Sequence, residues 1–309
     1  MATGPALPST PEPLPLGALS DPILVDPGPR LLRAVVEAYR EAAPALADPS
    51  VADLASGANE DGGDSSDPSN LPTLKAFAGE RAVDAATAGF GPASRLAALV
   101  DAGVVDLRVL DAPQPNPVLA GEETGFALVE SQDCEAVGAP SRWHRVGGDA
   151  SLRERYASGF ADAEPYRLRT PTRRRVHEGF ADRCDESVAA AVLRALDVTE
   201  ESEEADRAVD SELPTDSPDP EETRVRAYAV GAREKVLDRT LRRACEDAGL
   251  GSPSTFTRVK RLLREADLIE TVSEPQPVGR PRERLAARGA LEAAETPAET
   301  VAAVRGVTE

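Results

Sequence analysis

The sequence predicts two units, an α/β domain over residues 21–198 and a small basic domain over residues 223–289 built as helix, turn, helix, strand, loop, strand. Three observations carry this. Between residues 94 and 110 a helix pattern, a glycine and a strand pattern follow one another, as in an α/β unit. Residues 199–222 are acidic and punctuated by prolines, the composition of an interdomain linker. Beyond them the charge reverses. Residues 224–289 hold 15 Lys and Arg against 9 Asp and Glu, a net +6 in a chain of net −19, which leaves −25 for the remainder.

Composition sets the outer limits. A chain of 309 residues with 41% hydrophobic content can form two domains with cores of their own. No apolar run reaches the ~18–20 residues of a membrane span, and no signal-peptide pattern precedes the domains, so a cytoplasmic location and no membrane partner are expected. Cys134, Cys184 and Cys245 are scattered, which suits neither a disulfide framework nor a paired zinc site. Lysine occurs only at positions 75, 235 and 260, and Arg supplies the other basic residues. Abundant carboxylates with Arg over Lys match a salt-accumulating haloarchaeon, where dense carboxylates keep a surface hydrated. A GC-rich bacterium would share the Arg bias.

Taken in order, residues 1–20 are rich in proline and small residues and predict a disordered tail. Ile23-Leu24-Val25 is a short apolar run, and Leu31 to Val36 leads into a helix through about Ala43. Residues 48–70 predict a mobile loop without the ligand spacing of an EF-hand. Leu74, Phe77 and Ala78 begin an amphipathic segment. Leu96, Leu99 and Val100 form the core face of a helix that Gly103 ends, and residues 104–110 read as a strand. Residues 116–119 and 125–129 suggest two further strands, paired around Gly121-Glu122-Glu123. Residues 152–160 and 187–196 read as helices, with a basic segment at 167–176 between them. Residues 290–309 predict either a short helix or a frayed tail.

The basic domain is the most legible stretch. A helix carries Leu237, Leu241, Ala244, Cys245 and Ala248 on one face and stops at Gly249-Leu250-Gly251. Ser252-Pro253 opens a second helix, with serine as N-cap and proline at the first helical position. That helix has Phe256, Val259 and Leu263 on one stripe. Ser254, Thr255, Thr257, Arg258, Arg261 and Arg264 lie away from it. Leu268 to Val272 alternate as a strand, a proline-rich loop follows, and residues 282–287 return as a second strand, with Arg280, Arg282 and Arg284 on or beside the loop. This order is that of a winged helix-turn-helix, whose second helix enters the major groove. A small helical domain with a surface hairpin would show the same elements, but a basic island in an acidic chain is the footprint of a nucleic-acid module. The expected partner is double-stranded DNA; the alternative is a non-catalytic metabolite-binding or protein–protein adaptor protein whose basic domain is incidental. A homodimer is expected too, because one winged helix reads a short site and two half-sites lengthen it.

Few residues suggest other chemistry. Gly89-Phe90-Gly91-Pro92 precedes a helix but lacks the spacing of a phosphate loop and reads as a turn. His144 and His177 are the two histidines, and neither begins an HxK pair; GxSxG, HExxH and CxxC are absent as well. No catalytic residue, metal ligand or cofactor is therefore expected. His144, beside Trp143, is expected at the surface. Arg167, Arg169, Arg173, Arg174 and Arg175 form a basic cluster inside the acidic domain. They could hold a small phosphorylated metabolite as effector, since guanidinium groups grip phosphate bidentately. Pairing with nearby carboxylates, or a dimer contact, would account for them equally.

Four segments together, RAYAVGAR (226–233), SPSTFTRVKRLL (252–263), VGRPRERL (278–285) and RLRTP (167–171), resemble the haloarchaeal TrmB-suppressor, TbsP-like, regulator family. The likeness spans roughly residues 21–289 and is most specific at the wing segment. It implies a DNA-binding transcription factor acting beside the sugar-sensing TrmB regulator on genes of central carbon metabolism. It also implies an N-terminal domain similar to the phospholipase-D-like effector domain of TrmB proteins but without catalytic pairs, in keeping with the missing HxK.

Overall fold

The computed structural model describes residues 4–9, 12–57, 70–129, 142–198, 220–275 and 281–307. The expected loop is described only to residue 57 and at 70, and Cys134, residues 199–219 and residues 276–280 with Arg280 lie outside the described residues.

The N-terminal unit is built on one mixed sheet. Its strands are β3 (Ile23–Val25), β4 (Leu74–Ala78), β5 (Val105–Val109), β6 (Val118–Ala120), β7 (Gly125–Val129) and β8 (Arg142–Gly147), ordered β5-β4-β3-β6-β7-β8. β3, β4 and β5 are parallel, and the remaining pairs are antiparallel. The parallel half needs crossovers. These are α1 (Pro29–Ala42), α2 (Pro44–Ala47) and α3 (Val51–Ala55) before β4, then α4 (Glu80–Ala86) and α5 (Phe90–Asp101) before β5. Alternation along the strands loads both faces. Leu24, Leu74, Ala76 and Leu107 pack with Leu32, Val35, Leu96 and Leu99 of the crossover helices. Ile23, Val25 and Phe77 pack on the other face with Phe160 of α6 (Ser151–Asp162). The outer edge of β5 is covered by the chain after α6, where Val109 N–H donates to Glu164 O at 3.0 Å and Tyr166 N–H to Leu107 O at 2.9 Å.

Several expectations are corrected. Residues 4–9 and 12–20 are not a loose tail. β1 (Ala6–Leu7) pairs with β2 (Leu14–Pro15), and Leu7 and Leu16 are wholly buried against the sheet unit, so isolated leucines among prolines suffice to dock the segment. The start of the expected loop is ordered as well. Ser50 and Asp53 form a reciprocal capping box on α3, and Asp48 pairs with Arg95 at 2.7 Å. Leu74, Phe77 and Ala78 belong to a strand, because buried parallel strands read as continuous apolar runs with no helical period. The pair β6–β7 has the expected partners, whereas β8 went unread, its exposed residues giving a weak alternation.

The second core gathers more than the expected domain. α7 (Arg173–Arg183) and α8 (Glu186–Leu196) share it with α9 (Pro220–Arg233), α10 (Asp238–Asp247) and α11 (Pro253–Glu265). Val176, Phe180, Val192 and Leu193 are wholly buried there beside Ala227, Tyr228, Leu241 and Phe256. The break expected at 199–222 thus joins two helices of one core, and packing changes hands near Thr172 instead. The C-terminal segment is docked too. α12 (Gly289–Ala293) and α13 (Pro297–Val304) bury Leu291, Val301 and Val304, so residues 289–304 complete the core and are no frayed tail. The two units meet at Arg173, whose guanidinium pairs with Asp48 at 3.3 Å and donates to Pro49 O at 3.1 Å on one side, and reaches Asp197 at 3.0 Å on the other. Phe90 of α5 also enters the second core.

Candidate nucleic-acid interface

The interface begins with helix ends. α10 stops in a Schellman arrangement. Gly249 has φ 76°, its N–H donates to Glu246 O at 2.9 Å, and Leu250 N–H donates to Cys245 O at 2.9 Å. After this turn the Ser252 hydroxyl accepts from Thr255 N–H at 3.4 Å and caps α11. α11 then lays Phe256, Val259 and Leu263 wholly in the core, with Phe256 stacked on Tyr228 of α9 at 5.7 Å between ring centroids. It ends as α10 does, except that Asp267 supplies the left-handed residue, with φ 55°. The wing follows as β9 (Ile269–Glu274) and β10 (Arg282–Ala287), antiparallel with Glu274 opposite Arg282. Leu285 is wholly buried, and its N–H donates to Val236 O at 3.1 Å, tying the wing to the entry of α10.

With the buried stripe fixed, the other face of α11 is set. Ser254, Thr257, Arg258, Arg261 and Arg264 are exposed and Thr255 is half-buried. Thr257, Arg261 and Arg264 line an open groove with Lys260 and Glu265. Arg258 pairs with Glu221 of α9 at 2.6 Å, and Arg261 sits 3.8 Å from Glu265 with both side chains about two-thirds exposed, a weak pairing. On the wing, Arg282 is exposed. Arg284 is half-buried and braces the fold, its guanidinium donating to Lys235 O at 2.6 Å and to Glu274 at 3.0 Å.

Lys260 and Asp238 escaped the sequence reading. Asp238, the first residue of α10, is 2% exposed. It accepts from the Tyr228 hydroxyl at 2.5 Å, pairs with Arg242 of its own helix, and lies 3.3 Å from Lys260. Burial, then the bond to Asp238, pushes the Tyr228 hydroxyl well above the usual tyrosine range. Lys260 also reaches Glu283 on the wing at 2.7 Å, and Arg242 donates to Thr257 on α11 at 3.3 Å. One buried carboxylate thereby fixes α9, α10, α11 and the wing in register. The available signal was spacing alone, since Asp238 and Arg242 stand four apart on a helix.

The other candidates scatter. Arg167, Arg169, Arg174 and Arg175 are exposed while Arg173 is buried in its bonds to Asp48, Pro49 and Asp197. Arg175 donates to Asp247 O at 3.3 Å, away from the others' partners. The five therefore do not close on one site. Gly89 has φ 87° and Phe90 is buried, as a turn into α5 requires. His144 is exposed on β8. His177 is 4% exposed, with Nε2 3.1 Å from Glu186, a contact whose geometry is too poor for a hydrogen bond. Cys184 is half-buried and its thiol is pushed up to about 11 by burial, with Asp185 adding to the shift; Cys245 is buried. Among the described residues no helix is long and apolar enough to cross a membrane.

Two family models match the chain in tandem. One, described as the C-terminal HTH domain of TbsP-like transcriptional regulators, covers residues 172–305, and the other, the N-terminal domain of the same regulators, covers residues 63–171. The junction at 171/172 coincides with the point where packing passes from the sheet to the second core. No curated protein and no solved structure matches the chain. A helix-turn-helix with a polar, arginine-bearing outer face, joined to an α/β unit and matched along both parts, makes this chain a member of the TbsP-like transcriptional regulator family.

Proposed function

We propose that the chain is a sequence-specific DNA-binding transcriptional regulator in which α11 reads base edges and the wing follows the backbone. The observation that carries this is the outer face of α11, where Ser254, Thr257, Arg258, Arg261 and Arg264 stand exposed behind a fully buried apolar stripe. Hydroxyls and guanidinium groups near a helix N-terminus are the donors that the major groove accepts. The proposal extends to its setting: genes of central carbon and sugar metabolism in a halophilic archaeon, supported by the family and by an acidic, lysine-poor composition. The N-terminal unit is proposed as a non-catalytic, phospholipase-D-like sensor and dimerisation domain of the TrmB-effector type, supported by its mixed sheet covered on both faces and by a sequence without HxK. With Arg173 spent on the junction, a phosphorylated effector is proposed at the exposed Arg167, Arg169, Arg174 and Arg175, supported by their exposure alone.

Genome-wide occupancy of a tagged copy tests the reading. Discrete peaks at promoters, shared by one sequence motif, are expected. Uniform or absent enrichment would overturn it.

A further inference from the structure

Between the end of α7, the start of α10 and the base of the wing lies an open cleft of about 910 Å³. Five arginines line it: Arg183 from α7, Arg239, Arg242 and Arg243 from α10, and Arg282 from β10. Of its three carboxylates, Asp238 is shared by Tyr228, Arg242 and Lys260, Glu283 binds Lys260, and Asp182 lies beside Arg183. Arg183 pairs with Asp247 at 2.6 Å. Arg239, Arg243 and Arg282 are exposed and have no partner among the described residues. Arg239 and Arg243 stand four apart on one face of α10, where like charges destabilise a helix. In a chain of net −19, three unneutralised guanidinium groups gathered at one cleft call for an external anion.

The shape and position of the cleft select that anion. The cleft is open and lined by charged side chains, whereas small-molecule sites are enclosed and mostly apolar. It adjoins the groove on α11, since Arg242 donates to Thr257 and Lys260 joins Asp238 to Glu283 between the two linings. We infer that the DNA strand flanking the groove entered by α11 runs through this cleft, with its phosphates held by Arg239, Arg243 and Arg282 and with α7 as the far wall. α7, which lies outside the helix-turn-helix, is thereby part of the DNA surface. This inference rests on the DNA-binding reading above.

The test is a salt series of binding titrations with the full chain and short duplexes of several sequences, comparing wild type with Arg239→Ala/Arg243→Ala. Two lost phosphate contacts should lower the slope of log affinity against log salt by about 1.8. The loss should be the same for every duplex, since phosphates carry no sequence information. Lysine at both positions should keep the slope. If the double variant melts early, Arg239→Ala or Arg243→Ala alone reads the same cleft, with the slope falling by about 0.9. An unchanged slope, or a loss that depends on sequence, overturns the cleft while wild-type binding leaves the regulator reading standing. A wild type that binds no duplex overturns both. Inorganic phosphate that raises the melting temperature of the wild type but not of the variant, with the duplex slope unchanged, makes this a small-anion site and overturns the proposal.

Discussion

Asp238 shows what a single residue holds together. Its carboxylate lies in the core yet serves a tyrosine, an arginine and a lysine from three helices. Removing one member of a buried charge network leaves the others without compensation. Arg242 and Lys260 keep some solvent, with side chains 30% and 14% exposed, so the cost is moderated. Asp238→Ala is expected to destabilise the fold by about 2 kcal/mol in denaturant unfolding. A change within experimental scatter would mean that Glu283 and water satisfy the two cations without it. Such a residue is hard to read from sequence. Its charge suggests solvent, and two of its three partners lie 10 and 22 positions away, beyond any local pattern. Arg284 shows the same limit, because nothing local to an arginine beside a basic loop tells that it also braces the fold through Lys235 O and Glu274.

At the scale of elements, legibility followed the local signals. α11 was predicted at its first residue because a serine cap and a proline start it, and its core stripe has helical spacing. α5 and α10 were ended correctly by Gly103 and Gly249, both in the left-handed region. α9 went unread for two reasons. Val225, Ala227, Tyr228, Ala229, Val230 and Ala232 are all buried, so the helix has no polar face to give a period. The left-handed residue just past its end is Lys235, with φ 55°, where a glycine would have marked the stop. α7 shows how closely these helices approach. A Cβ on Gly179 would lie 2.5 Å from Ala248 N and 2.7 Å from its Cα, and backbone on the far side cannot give way as a flexible side chain would. Gly179→Ala should therefore cost about 1–3 kcal/mol through overpacking, in spite of alanine's better helix propensity. Thermal unfolding checks it, and a stabilised variant would show that α7 and α10 can move apart freely.

The whole molecule is divided at Thr172 rather than at the acidic stretch. Composition pointed to the wrong seam because a charged, proline-rich segment looks alike whether it joins two domains or two helices of one core. The consequence is measurable. A fragment of residues 172–307 should unfold cooperatively, whereas residues 223–289 alone would lack Val176, Phe180, Val192, Leu193 and Val301, which complete that core. Cooperative unfolding of the shorter fragment would contradict the shared core. The assembly is proposed as a homodimer, since a single α11 spans too few base pairs for useful specificity. Light scattering in high salt should give twice the 32.5 kDa chain mass, and a monomer with and without DNA would refute it.

The central claim is that α11 reads sequence, and Arg258 tests it most directly. Its side chain is about half exposed near the N-terminal end of the helix, held by Glu221 at 2.6 Å, so truncation removes a poised donor without opening the core. The measurement is affinity for a duplex taken from the most occupied genomic site, and for its single-base variants, with wild type and Arg258→Ala. The account predicts a loss of roughly 1–3 kcal/mol together with relaxed preference at one base position. Unchanged affinity and unchanged preference would contradict it.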